Sequence, residues 1–304
     1  MFKNDKVRAY IAAFIFSILV GFSFIGIKVC QELATELETL TYRFNFGFIA
    51  SGVTFLVIKI FFKKETLAPE KKSKKIMLIT AISYVGFMTL QIIGIFYTTS
   101  VLGSIIFSIT PITVQLMAIK FLKEKANFKQ SIFIAITASA LIYMILVGTK
   151  SLELNFIGVV CLLLASLSMA IANIGMRYIR KCYTPLDVTF YICTTGFIFF
   201  NTITIITGMI DGTLINYFNP VANFEFLIAT AYLGVGCIFI TSQLMAFMLG
   251  QLETIKVAVF GNFSMVVSIL AGIIILNEPF YLYHFICAGL VLTGVIGVSF
   301  YGNK

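Results

Sequence analysis

The stretch Phe24-Ile25-Gly26-Ile27-Lys28 returns 149 residues later as Asn173-Ile174-Gly175-Met176-Arg177. The same spacing carries Thr35 onto Thr184, Leu37 onto Leu186, Glu38 onto Asp187, Tyr42 onto Tyr191, Gly47 onto Gly196 and Phe48 onto Phe197. Farther along the spacing grows to 154, taking Glu124 onto Glu278, Ala135 onto Gly289 and Gly148 onto Gly302. Two copies of one unit therefore lie end to end. Apolar runs long enough to cross a bilayer as helices fall at about 7–29, 39–62, 76–98, 100–122, 130–149, 154–177, 186–210, 225–249, 253–276 and 282–302. Each copy holds five. A unit with an odd number of spans enters the bilayer one way and its duplicate the other, which is how inverted repeats place two gates around one site. The expected fold is an all-α integral membrane protein. Ten transmembrane helices form two inverted-topology five-helix repeats, 7–149 and 154–302, around a central cavity.

Composition supports the same class. Hydrophobic residues make up 60% of the 304 residues and charged residues 12%, which leaves no room for a soluble catalytic domain beside ten spans. Lys3, Lys6 and Arg8 before the first span resemble a signal peptide, but that span is too long for a usual apolar core and lacks a small-residue cleavage site, so it reads as a retained helix. The net charge of +9 is a topology signal rather than a nucleic-acid footprint. With a cytoplasmic N-terminus, nineteen of the 22 Lys and Arg fall on cytoplasmic segments and helix ends, leaving only Lys28, Arg43 and Lys150 opposite. Acidic residues divide almost evenly, as expected when basic residues alone set orientation. Both termini are expected in the cytoplasm of a multi-pass cell-membrane protein, with the lipid bilayer and a small-molecule substrate as partners and no nucleic acid. Oligomeric state is left open.

The six scattered cysteines form no Cys-x-x-Cys pair, the single His284 offers no histidine-rich cluster, and no phosphate-binding glycine loop occurs. No cofactor and no metal are expected. The lysine-rich segment 63–75 reads as a solvated loop facing anionic headgroups.

Several motifs resemble the EamA-type module. They are Gly21-Phe22-Ser23-Phe24-Ile25-Gly26-Ile27-Lys28, Thr41-Tyr42-Arg43-Phe44, and Tyr97-Thr98-Thr99-Ser100 with Ser108-Ile109-Thr110-Pro111 and Lys123-Glu124, closing with Leu276-Asn277-Glu278-Pro279. The resemblance, to the drug/metabolite transporter superfamily, covers about 7–302. It implies ten helices, two inverted repeats and, frequently, export of amino acids or related metabolites. Two departures stand out. Met265 replaces the proline that Pro111 would predict in helix 9, and Ile192 stands where Arg43 would recur.

Polar groups deep in a span must face the bundle interior or a water-filled cavity, because hydrocarbon leaves them unsatisfied. On this ground the candidate substrate-binding residues are Arg43, Tyr84, Gln91, Tyr97, Ser108, Thr110, Gln115, Asn173, Tyr191, Gln243 and Asn262. Pro111 and Gly261 are the expected helix breaks, since Pro removes a backbone donor and Gly loosens a helix. Arg43, read about one turn inside helix 2, is placed either to reach the headgroups, to pair with Glu38, or to bind a substrate carboxylate. Lys28 and Arg177 are matched cations, expected either to reach the headgroups or to guard the two pathway mouths. No Asp or Glu occupies the middle of a span, which favours exchange or uniport over proton coupling. The leading reading is an inner-membrane exporter of small polar metabolites such as amino acids, working by alternating access. The alternatives are a multidrug exporter of hydrophobic or cationic compounds with the same fold and, more remotely, a non-transporting receptor. An intramembrane enzyme would need converging acid, base or metal ligands, which the sequence does not supply.

Overall fold

A computed structural model of the chain describes residues 2–62, 71–98, 103, 110–117, 120–121, 127–148, 155–180, 182–276 and 282–301. Every regular element among them is helical. In chain order they are α1 (Phe2–Leu33), α2 (Glu36–Phe62), α3 (Lys71–Phe96), α4 (Thr110–Met117), α5 (Phe128–Gly148), α6 (Phe156–Ile179) and α7 (Pro185–Ile210). These are followed by α8 (Phe224–Gln251), α9 (Thr254–Ile275) and α10 (Leu282–Tyr301), with two single turns at Leu214–Asn216 and Asn219–Ala222 between α7 and α8. Among the described residues, α1, α2, α3, α6, α7 and α8 each contain a stretch long and apolar enough to cross a membrane. The chain is an all-helical, multi-pass membrane protein.

The surface shows why. On α2 an outward stripe of Ile49, Val53, Leu56 and Ile60 is exposed, while Leu40, Phe44, Gly47 and Ser51 on the opposite face are buried. Both stripes repeat every three to four residues, and both are largely apolar, as a helix between a protein core and lipid requires. Hydroxyl groups within the helices find partners locally. Thr41, Thr54, Thr80, Thr89, Thr137, Thr194 and Thr241 each donate to the carbonyl four residues earlier at 2.7–2.9 Å.

Capping boxes start α2 and α7. Thr35 and Glu38 exchange side-chain and backbone hydrogen bonds at 2.8–3.3 Å, and Thr184 and Asp187 do the same at 2.8–3.2 Å. These two helices then pack antiparallel along their lengths. Thr41 meets Thr204 with hydroxyl oxygens 2.7 Å apart, and the Phe44–Phe200, Phe48–Phe197 and Phe55–Phe190 rings stack with centroids 5.1, 4.4 and 4.7 Å apart. Exchanging each residue for its counterpart 149 positions away turns Thr41–Thr204 into Phe55–Phe190 and returns Phe48–Phe197 to itself. α5 and α10 also run antiparallel: Phe133 stacks on Tyr301, and the Cys287 thiol donates to the Ala140 carbonyl at 3.1 Å. α3 packs on α6 through Gly94 and Gly158, where a Cβ on either would lie 3.2 or 3.1 Å from the other's carbonyl oxygen. By contrast α1 and α9 run parallel, with Tyr10 against Phe260 and Phe14 against Phe263.

The expected helix break at Gly261 needs correction. α9 runs without interruption through Gly261, because one glycine costs only about 1 kcal/mol of helix propensity when packed turns flank it. The segment preceding Pro111, where a bend is expected, lies outside the described residues. The irregular helix is α8, whose middle, Tyr232–Ile240, is π-helical. Short π segments inside α-helices are frequent at functional sites. This one carries Gly234 against α2 so closely that a Cβ there would sit 2.4 Å from the Arg43 carbonyl oxygen. Gly234→Ala is therefore expected to lower stability by about 1–3 kcal/mol. Gly86→Ala, whose Cβ would meet nothing within 4 Å, is expected to be neutral or stabilising by up to about 1 kcal/mol. Thermal unfolding of the two purified variants in detergent checks the contrast.

Candidate functional site

Both halves of the chain line one internal cavity. α1 supplies Phe16, Val20 and Ser23, α2 supplies Arg43, α3 supplies Tyr84, Phe87, Met88 and Gln91, and α4 supplies Thr110. From the second half come Met169 and Asn173 on α6, Cys237, Thr241 and Met245 on α8, and Val257, Gly261 and Ser264 on α9. Four lining pairs are counterparts at the repeat spacings: Val20 with Met169, Phe87 with Thr241, Gln91 with Met245, and Thr110 with Ser264. The frame is symmetric while the chemistry is not. The cavity is tight, with about 40 Å³ left for the centres of water molecules, room for roughly three of them.

Arg43 dominates its electrostatics. The start of α2 at Glu36 places Arg43 two turns inside the helix, and it is 1% exposed. The expectation that it reaches the headgroups is thereby corrected. Glu38 does not draw it outward, since that carboxylate accepts from the Thr35 N–H and hydroxyl at 2.9 and 2.8 Å. Among the described residues, Arg43 Nε and Nη1 have no hydrogen-bond partner and no Asp or Glu lines the cavity. A buried charge in this condition is costly until something pairs with it. Asn173, also 1% exposed, has an unpartnered Oδ1. Tyr84 is held by a 3.1 Å hydrogen bond from the Ser242 hydroxyl.

Of the candidate residues, the structure gathers Arg43, Tyr84, Gln91, Thr110 and Asn173 around this cavity, with the Gly261 backbone beside them. Tyr97 and Tyr191 lie elsewhere, 45% and 42% exposed. Gln243 is half-buried on α8 but outside the lining. Ser108 lies outside the described residues, as do the side chains of Gln115, Pro111 and Asn262. A position along a span does not reveal which way a helix faces, so the sequence alone does not separate these tyrosines from residues that line the cavity. Ser23, Cys237, Thr241 and Ser264 join the lining without having been singled out. The paired Gly234 and Gly236 were the available signal for the distorted stretch of α8 that carries Cys237. A second polar cluster joins α2, α7 and the loop after α7. Asn45 donates to Tyr217 at 3.0 Å, Tyr217 to Asn201 at 2.5 Å, and Asn201 back to Asn45 at 2.6 Å, closing a ring that pins the loop after α7 to α2.

Lys28 and Arg177 have a role that the sequence did not foretell. Lys28 Nζ donates to the carbonyls of Ile95 at 2.9 Å and Thr98 at 2.5 Å, and Gln31 donates to Phe96 at 2.9 Å. Arg177 donates to Leu249 at 2.5 Å and to Leu252, and Arg180 donates to Gly250 at 2.7 Å. Each donor in the second set lies 149 residues after its counterpart, and each acceptor 154 residues after. Both clasps satisfy carbonyls that the ends of α3 and α8 leave without intrahelical partners, and each puts positive charge at the negative end of a helix dipole.

A helical protein with many exposed apolar residues and a buried cavity of mixed polar and apolar lining, walled by both halves of a duplicated chain, has the architecture of a membrane transporter. The chain belongs to the EamA-like transporter family, whose model matches residues 7–146 and 156–300. It is similar to the uncharacterized transporter YcxC of Bacillus subtilis (strain 168), with 29% identity over 98% of this chain and 94% of that one. An uncharacterized transporter of Buchnera aphidicola subsp. Schizaphis graminum (strain Sg) is 27% identical over 76% of this chain and 74% of its own length. A crystal structure at 10% identity shares the fold, with a TM-score of 0.74 over 96% of this chain and 98% of that chain. If the cavity is the binding site, Tyr84→Phe and Gln91→Leu are expected to weaken solute binding by about tenfold. Tyr97→Phe and Tyr191→Phe are expected to leave it unchanged, as read by ligand-dependent thermal stabilisation.

Proposed function

We propose that this protein is a secondary transporter of the cell membrane that exports small polar metabolites such as amino acids. In this reading ten spans form two inverted repeats, 7–149 and 154–302, both termini are cytoplasmic, and access to the cavity alternates between the two faces. The observation that carries the reading is the cavity itself, walled by both halves and including four pairs of positions related by the repeat spacings. The antiparallel α2–α7 and α5–α10 pairs support inversion. A two-fold axis that relates two antiparallel helices lies perpendicular to both, hence in the membrane plane if they span it. The basic residues on the segments assigned to the cytoplasm support the orientation of the termini.

The two clasps supply the gates. With α1 and α6 inverted relative to each other, the clasp at the end of α3 and the clasp at the end of α8 close opposite faces. Alternating access opens one while the other holds, and the tight cavity with both clasps formed corresponds to a closed intermediate. The absence of a carboxylate from the cavity lining among the described residues supports exchange or uniport over proton coupling. A multidrug exporter would use the same Phe- and Met-rich walls, but a buried guanidinium repels a cationic drug.

Counterflow of radiolabelled amino acids into proteoliposomes tests the function. Flux above protein-free vesicles is expected, with competition by amino acids and not by hydrophobic cations; displacement by the cations alone would favour the multidrug reading. The gate assignment predicts opposite effects of Lys28→Met and Arg177→Met on labelling of a cysteine introduced at Ser264 by a membrane-impermeant reagent. One variant should raise labelling from outside the cell and the other from the cytoplasmic side of inverted vesicles. Equal changes from one face would remove the clasps from the gating role.

A further inference from the structure

One carbonyl in the middle of α1 accepts from two side chains of α8. The Tyr232 hydroxyl donates to the Leu19 oxygen at 2.8 Å, and the Cys237 thiol donates to the same oxygen at 3.4 Å. In an α-helix of 3.6 residues per turn, side chains five apart point roughly 140° away from each other. In a π-helix, whose bonds join residues i and i+5, they return to nearly the same face. The Thr241 N–H, which donates to the Gly236 carbonyl five residues earlier, marks that winding. Tyr232 and Cys237 thus reach one oxygen together because α8 is π-wound between them.

We propose that this pair locks a winding switch. Tyr232 and Cys237 are positioning residues that hold Tyr232–Ile240 in the π form. When they let go, the stretch rewinds to α, turns the far half of α8 and loosens the Arg177 clasp. The proposal rests on the reading of the chain as an alternating-access carrier gated by its clasps, and it says what drives one of them.

Three observations support it. First, π winding is rare and short-lived along a helix, so a nine-residue run needs contacts that hold it, and the shared Leu19 oxygen supplies two. Second, the half of α8 beyond this run carries both functional ends. Thr241 and Met245 line the cavity, and the Leu249, Gly250 and Leu252 carbonyls accept from Arg177 and Arg180. A change of winding before Thr241 rotates them as one piece. Cys237 itself lines the cavity, so the lock lies within reach of whatever enters. Third, the other half lacks the device. α3 is α-helical from Lys71 to Phe96, and the positions matching Tyr232 and Cys237 are Leu78, which is exposed, and Ser83. The two gates of a symmetric frame are therefore released differently, one by winding and one by movement of a regular helix.

Hydrogen–deuterium exchange of the purified full-length protein, resolved by peptide mass spectrometry, tests the switch. Tyr232→Phe combined with Cys237→Ala is expected to speed exchange across Tyr232–Ile240 on the order of tenfold. Cys237→Ser, which keeps a donor, is expected to stay near wild type. Gly236→Ala should act like the double variant without touching either donor. It favours α winding, and its Cβ would approach the Tyr232 ring to 3.3 Å in the π form. The coupling must also run backwards. Arg177→Met, which alters neither lock residue, is expected to speed exchange across Tyr232–Ile240, and Lys28→Met is not. A purely structural role for Tyr232 and Cys237 would not produce that remote effect. It would also leave labelling of Ser264→Cys unchanged, whereas the switch predicts that the double variant raises it from the face that Arg177→Met exposes.

The proposal is overturned if the double variant exchanges like wild type, or if Arg177→Met leaves the stretch as protected as before. It is also overturned if Lys28→Met exposes the stretch equally. Failure of the carrier reading is separable. Exchange coupled between Arg177 and the π stretch, without solute flux in proteoliposomes, would reject transport and leave the switch standing. Flux with no such coupling would reject the switch and leave transport standing.

Discussion

Hydrocarbon offers no hydrogen bonds, and every polar group placed in this chain's spans must find a partner within the protein. Most do so locally, as threonine hydroxyls turn back onto carbonyls of their own helices. Helix ends cannot solve the problem locally, because their last carbonyls have no intrahelical donors. At α3 and α8 the donors come from neighbouring helices, Lys28 and Gln31 in one half and Arg177 and Arg180 in the other. A requirement of backbone chemistry thereby becomes a joint between helices. Duplication placed one such joint in each half.

Against that background Arg43 stands out as a buried charge with unpartnered donors. Its symmetry-related position carries isoleucine, which needs no partner, so the charge is a feature of one half superposed on a shared frame. The buried guanidinium, the unpartnered Asn173 oxygen and the π-helical stretch of α8 meet in one region, where Gly234 brings α8 onto the backbone of Arg43 itself. Irregular winding and unsatisfied polarity thus coincide at the cavity, as they do where a functional site departs from local rules.

Much of this was legible in the linear chain. The duplication, the apolar runs and the family motifs could all be read directly, because span length and repeat spacing are one-dimensional properties. Arg43, Tyr84, Gln91, Thr110 and Asn173 were recognisable as candidates, because a polar residue deep in an apolar run must face something other than lipid. Tyr97 and Tyr191 satisfied the same rule and yet sit on exposed surfaces, since depth in a span does not fix rotation about the helix axis and a tyrosine tolerates an exposed, partly apolar setting. Gly261 looked like a break and is not one. The distortion instead falls at Tyr232–Ile240, where packing against α2 and α1 decides the local winding.

The membrane-embedded helical class, the twofold duplication and the matching of Lys28 with Arg177 follow from composition and from spacing along the chain. That Lys28 and Arg177 tie helix ends together, and that Arg43 is sealed inside rather than drawn to the headgroups, emerges only from the packed helices. So does the convergence of particular polar residues on one cavity. These outcomes depend on how each helix is rotated and how closely it approaches its neighbours, and both are set by contacts between residues far apart in the chain.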